Sequence, residues 1–126
     1  MEINVPQKGS CHCSSVQFEV ELPNGFEELS RCNCSMCARR GAIVSSIPKE
    51  SFKIIQGGSN LSLYQFNTKT AEHYFCSTCG IYTHHKRRSN PSQYAVNIAC
   101  IEGVKPFELG EVQLLNGRNH PCDMNK

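Results

Sequence analysis

Residues 71–85, Ala71-Glu72-His73-Tyr74-Phe75-Cys76-Ser77-Thr78-Cys79-Gly80-Ile81-Tyr82-Thr83-His84-His85, read as an extended run, a Cys-x-x-Cys-Gly turn and a second extended run. Residues 71–75 lead into the turn and 81–85 lead out. The segment therefore predicts a β-hairpin with a metal knuckle at its tip. A thioredoxin-type redox pair shares the Cys-x-x-Cys spacing, but it needs a helix starting at the first cysteine within a βαβ unit. Here a strand-like run precedes the pair and Gly80 follows it, which favours the knuckle.

Working outward, two more tight clusters appear: Cys11-His12-Cys13 and Cys32-Asn33-Cys34-Ser35-Met36-Cys37. Together the clusters hold seven of the nine cysteines. Seven thiolates fill one closed four-cysteine zinc site and leave three over, and three protein ligands with one open position make a working zinc. Cys32, Cys34 and Cys37 are close enough to wrap one ion from a single loop. Cys11 with Cys13, and Cys76 with Cys79, each supply two ligands to the other ion, stapling the N-terminal segment to the middle of the chain. Two zinc ions per chain are expected. Cys100, Cys122, His12 and His120 are the candidates for a fourth ligand to the three-cysteine site. The odd cysteine count and the tight spacing argue against a disulfide framework. Three anionic sulfurs make a zinc a weak Lewis acid, so water activation is a poor fit. Such a site suits an incoming small thiol, which the ion holds as thiolate.

At 126 residues, with 39% hydrophobic and 19% charged residues and a formal charge of +2, the chain reads as one domain over residues 1–126. That charge gives no reason to expect a nucleic-acid partner. No apolar signal region opens the sequence and no run reaches membrane-spanning length, so the expected location is the cytoplasm, where thiols stay reduced. Residues 16–22 alternate apolar and polar strictly, a half-buried strand ending at Pro23-Asn24-Gly25. Residues 42–47, 52–56 and 61–66 read as further strands, with Gly57-Gly58-Ser59-Asn60 a turn between the last two. Tyr94, Val96 and Ile98 alternate with Ala95, Asn97 and Ala99 in another strand, and 111–115 form a weaker one. A short helical turn after Cys34 is all the helix expected. The predicted class is mainly β: a single compact domain of small antiparallel sheets stapled by zinc.

The segments Gly9-Ser10-Cys11-His12-Cys13, Cys32-Asn33-Cys34-Ser35-Met36-Cys37-Ala38-Arg39-Arg40-Gly41 and Phe75-Cys76-Ser77-Thr78-Cys79-Gly80 resemble the glutathione-dependent formaldehyde-activating enzyme family, which includes centromere-protein-V-like proteins. Val96-Asn97-Ile98-Ala99-Cys100-Ile101-Glu102-Gly103 and Asn116-Gly117-Arg118-Asn119-His120-Pro121 look like its later landmarks, so the likeness spans roughly residues 9–121. The resemblance implies a fold of small coiled β-sheets. It also implies a structural zinc on Cys11, Cys13, Cys76 and Cys79 and a catalytic zinc on Cys32, Cys34 and Cys37. The implied activity is that of a carbon–sulfur lyase acting on adducts of glutathione or a similar thiol, with formaldehyde in the family's named reaction. The alternative is a zinc-stabilised binding module, or a glutathione carrier without catalysis.

Arg39 and Arg40, directly after Cys37, are the expected contacts for the carboxylates of a glutathione-like substrate. The run His84-His85-Lys86-Arg87-Arg88 reads as a solvated basic loop, its alternative being a further contact for the carboxylates of a glutathione-like substrate. Cys100 is expected in the core and Cys122 as a free surface thiol. Glu72, His73 and His120 are the candidate acid–base groups, and the four tyrosines are expected to pack on strands.

Overall fold

The computed structural model describes residues 6–22, 29–66 and 68–115. Two β-sheets make up most of it. The first contains β1 (Gln7–Ser10), β2 (Gln17–Val20) and β5 (Phe52–Gln56) in the antiparallel order β1-β2-β5. The second has seven strands. They are β3 (Leu29–Cys32), β4 (Val44–Pro48), β6 (Leu61–Tyr64), β7 (Glu72–Cys76), β8 (Tyr82–Lys86), β9 (Gln93–Asn97) and β10 (Gln113–Leu115). Their spatial order is β10-β3-β4-β9-β8-β7-β6. Every neighbouring pair is antiparallel except β10 on β3, which is parallel. The helical turn expected after Cys34 is α1 (Ser35–Arg40).

The mainly-β expectation holds, and the alternation over 16–22 is the reason the first sheet has a core face. Val16, Phe18, Val20 and Leu22 are all buried, while Gln17 and Glu19 between them are partly exposed. Phe18, Val20 and Leu22 meet Ile47, Val96 and Ile98 in the main core, each burial stabilising the fold by about 1.5–3 kcal/mol. Val16 belongs instead to a small second cluster with Cys11 and Cys76. Gly57 joins that region to β5: its φ is +81°, and a Cβ there would lie 1.9 Å from the Ser15 carbonyl oxygen. Only glycine fits such a position without displacing backbone.

Several boundaries differ from the expectation for identifiable reasons. β4 begins at Val44 rather than at residue 42: Gly41 caps α1 in the left-handed region, and Ala42 and Ile43 belong to no strand. β6 stops at Tyr64, after which the Gln65 side chain donates to the Lys69 and Ala71 carbonyls. β9 stops at Asn97, whose Oδ1 accepts from Ala99 N at 3.2 Å while its Nδ2 donates to the Tyr82 carbonyl at 2.8 Å. Ala95, Val96 and Asn97 are all buried, so this strand is covered on both faces instead of one.

The basic run is corrected most. His84, His85 and Lys86 belong to β8, which lies between β7 and β9, and His84 is only 3% exposed. Burial pushes the His84 ring down to about 3. It packs between Phe52, Tyr74 and Tyr94 and is a neutral aromatic in practice.

Candidate metal centres and cavity

The hairpin of β7 and β8 places its knuckle against the turn after β1, and Cys11, Cys13, Cys76 and Cys79 converge there with their sulfurs within 4.8 Å of one another. Cys11 Sγ and Cys76 Sγ each lie 3.7 Å from Cys13 Sγ. A tetrahedral zinc with bonds of about 2.3 Å spaces its sulfurs about 3.8 Å apart, so this donor set fits the ion. Backbone amides support the sulfurs: Val16 N donates to Cys11, and Thr78 N and Cys79 N donate to Cys76. Asn60 Nδ2 adds a bond of 3.4 Å to Cys76 Sγ. Such outer bonds orient ligands and favour thiolate. Desolvation raises the Cys79 thiol, but backbone bonds at Cys13 and Ile81 together with the Cys76 and Cys11 side chains bring it down to about 6.

The second group, Cys32, Cys34 and Cys37, spans the end of β3 and the first turn of α1, and its three sulfurs also lie within 4.8 Å of one another. Cys34 caps the helix, its sulfur accepting from Cys37 N at 3.3 Å, and Cys32 Sγ accepts from Cys34 N at 3.4 Å. Bonds from the Cys32 and Cys37 side chains hold the Cys34 thiol far below its usual range, and the same contacts, with burial, push Cys37 far above it. Three sulfurs this close cannot all ionise unless a cation joins them, and a cation is what the group can hold. No fourth cysteine, histidine or carboxylate among the described residues completes this set.

The expected fourth ligands are placed elsewhere or fall outside view. His12 is exposed beside the other group. Cys100 is half-buried against the main core, with Sγ donating to the Tyr82 carbonyl at 3.5 Å, and burial pushes its thiol up to about 12. His120, Cys122 and the landmark at 116–121 lie outside the described residues.

The three-cysteine group opens into a cavity of about 260 Å³, whose walls come from α1, β4, β7, β8, β9 and the segment around Phe66. Arg40, His73, His85, Arg87 and Arg88 line it, and among the described residues no Asp or Glu does. Of the two expected arginines, only Arg40 is in the wall. Arg39 is exposed and donates from Nη1 to the Ser35 carbonyl at 2.8 Å. Successive helical residues diverge by about 100° around the axis, so only one of the pair could face the cavity.

Arg40 lies with its guanidinium carbon 3.6 Å from the centre of the Tyr82 ring, and its Nη2 is 2.8 Å from His73 Nδ1. A guanidinium only donates, so His73 Nδ1 carries the lone pair and the ring proton is on Nε2. Burial first, and the Arg40 charge second, lower His73 to about 4. His73 is thus a neutral donor, stacked between Phe66 and His85. Tyr82 Oη is 2.6 Å from His85 Nδ1 and fixes that ring in turn. Glu72, another acid–base candidate, is outside the cavity wall and engaged by Tyr74 Oη at 2.6 Å and Lys86 Nζ at 3.1 Å. The sequence reading missed Phe66 as a cavity residue and had His85 and Arg87 only in the second reading of the basic run, as carboxylate contacts. The polar spacing of His85 and Arg87 along β8 and its exit was the available signal.

Fold and site together define a small β-protein with two clusters of cysteines that could hold metal ions, one closed and one opening into a basic cavity. The chain belongs to the glutathione-dependent formaldehyde-activating enzyme family, whose model matches residues 6–112. It is similar to a Halomonas elongata protein named as a candidate glutathione-dependent formaldehyde-activating enzyme, with 31% identity over 80 residues. That match covers 57% of this chain and 50% of the relative, so the chain spans about half the length of the curated relative it matches. A crystal structure of a Rhodobacter sphaeroides protein from a structural genomics programme is similar at 56% identity and a TM-score of 0.83, covering 86% of this chain and 99% of that one. Among the described residues no helix is long and apolar enough to cross a membrane.

Proposed function

We propose that this protein is a zinc-dependent enzyme of the carbon–sulfur lyase type, acting on adducts of a small glutathione-like thiol. In this reading Cys11, Cys13, Cys76 and Cys79 hold a structural zinc, and Cys32, Cys34 and Cys37 hold the working one. The observation that carries it is the open three-sulfur group at the wall of a cavity lined by cationic and neutral donors. A zinc there supplies a soft cation that keeps an incoming thiol as its thiolate.

The chain's own residues do the rest. The three cysteines leave one side of their group facing the cavity. Arg40, Arg87 and Arg88 raise the local potential, which favours an anionic sulfur and an anionic ligand. His73 offers an N–H from Nε2 to a substrate oxygen, and Phe66 covers the ring that carries it. In the forward direction a thiolate sulfur adds to an aldehyde carbon, the C–S bond forms, and the oxygen takes the proton that the thiol gave up. The reverse direction breaks that bond and returns the proton. The reducing cytoplasm is the compartment this reading assigns.

The test is metal content followed by thiol titration. About two zinc equivalents per chain, as the four-plus-three division requires, and a cobalt-substituted form whose absorption changes on adding glutathione are the expected results. One equivalent, or a cobalt spectrum indifferent to glutathione, would sink the working-site reading.

A further inference from the structure

Arg40 is the most constrained charged side chain in the cavity wall. Its Nη2 is committed to His73 and its face to Tyr82. Its Nη1 is buried and has no hydrogen-bond partner among the described residues. A buried guanidinium nitrogen without an acceptor is strongly unfavourable, because such a group loses water and gains nothing in return. Among the described residues the cavity wall offers no carboxylate. The neighbouring Arg87 is already matched, Nη1 to Gln93 Oε1 at 2.6 Å and Nη2 to Ser89 Oγ at 3.1 Å. Arg40 Nη1 is therefore a donor whose acceptor lies outside the described residues, and a ligand in the cavity is one that fits.

Two further facts narrow what that is. His73, its proton fixed on Nε2 by Arg40, adds a second donor to the same wall, so the arrangement suits an oxygen anion rather than a neutral carbonyl. At about 260 Å³ the cavity is smaller than the roughly 300–1,000 Å³ that drug-sized ligands occupy. Cys32, Cys34, Cys37 and Arg40 line this one small cavity, so a single ligand can offer its sulfur to the cysteines and its anionic oxygens to Arg40.

We propose that Arg40, supported by His73, is a carboxylate subsite, and that the site selects small thiols whose carboxylate lies only a few bonds from the sulfur. The inference rests on the thiol-binding reading above and sharpens it: the recognised unit is a mercapto acid, and any remaining part of a longer thiol projects out of the cavity.

The experiment uses the full chain with cobalt in place of zinc and follows the sulfur-to-cobalt absorption while titrating mercaptoacetate or mercaptoacetamide. These probes share their sulfur and size and differ in the carboxylate. The acid is expected to bind at least about tenfold tighter, as a charge-assisted bond to a buried donor implies. Arg40→Gln should abolish that preference, and Arg40→Lys should restore only part of it, since the ammonium lacks the planar fork. Equal affinity for the two probes in the unsubstituted chain overturns the subsite while leaving the thiol site standing. A spectrum that neither probe perturbs overturns the thiol site, and the subsite with it. The comparison of probes in the unsubstituted chain decides the matter even if the variants fail to fold.

Discussion

The four-cysteine group draws its ligands from two turns, Cys13 and Cys76 being 63 positions apart, whereas the three-cysteine group takes all of its ligands from one turn between β3 and α1. Cys11 and Cys76 are 2% and 0% exposed and pack with Val16. Cys32, Cys34 and Cys37 line an open cavity with Arg40 and His73 instead. The same side chain thus serves two ends. Where the ligands come from distant parts of the chain, binding an ion ties the fold together. Where they come from one turn, the ion adds little to the fold and its free side is available to a ligand.

The largest expected effect breaks that contrast or establishes it. Cys76→Ser should abolish cooperative thermal unfolding followed by circular dichroism, since structural zinc in small domains contributes on the order of 10 kcal/mol. Cys34→Ser should keep a cooperative transition while losing one metal equivalent and the response to thiols. Equal loss of folding in both variants would show that the division into structural and working groups is wrong.

A smaller effect sharpens the closed side. Gly57→Ala places a methyl 1.9 Å from the Ser15 carbonyl, two residues from Cys13, at a φ of +81°. Destabilisation on the order of 1–3 kcal/mol is expected, read as a lower urea midpoint at unchanged slope. An unchanged midpoint would mean that the turn and β5 are not pressed together as described.

The smallest effect concerns acid. The folded-state value of about 3 for His84 lies below its ordinary 6.5, so the unfolded chain takes up the proton first as pH falls. Stability held by the neutral ring is therefore complete above pH 6.5 and is lost between there and about 3, at up to about 1.4 kcal/mol per pH unit. His84→Gln should flatten the acid limb of urea-unfolding stability. The limb that survives belongs to the other buried histidines and to Glu72, whose carboxylate is held low by Tyr74 and Lys86. A slope identical to that of the parent chain would contradict a buried, neutral His84.

Much of this was legible before any coordinates. The spacing of Cys32, Cys34 and Cys37 marks three sulfurs that can share an ion, because they lie within six residues. Joining Cys11 and Cys13 to Cys76 and Cys79 rested instead on the count of ligands and on the family resemblance. The alternation from Val16 to Leu22 likewise encodes a strand with one buried face. The parallel pairing of β10 with β3 was not legible, since it depends on partners some eighty positions apart, Ser30 with Gln113, whose own pattern is too short to specify a neighbour. Nor was the burial of His84: charge and polarity in the run from His84 to Arg88 pointed to solvent, and only the position of β8 between β7 and β9 overrides that. The choice of Arg40 over Arg39 turned on helical phase, which the sequence fixes only once the start of α1 is known.

The distance between the halves of the closed group also bears on the order of events during synthesis. A chain leaving the ribosome has all three ligands of the open group once Cys37 has emerged, in a loop short enough to close at once. Cys11 and Cys13 have their partners only once Cys79 follows, so the group proposed to hold the structural ion is the last to be able to take it.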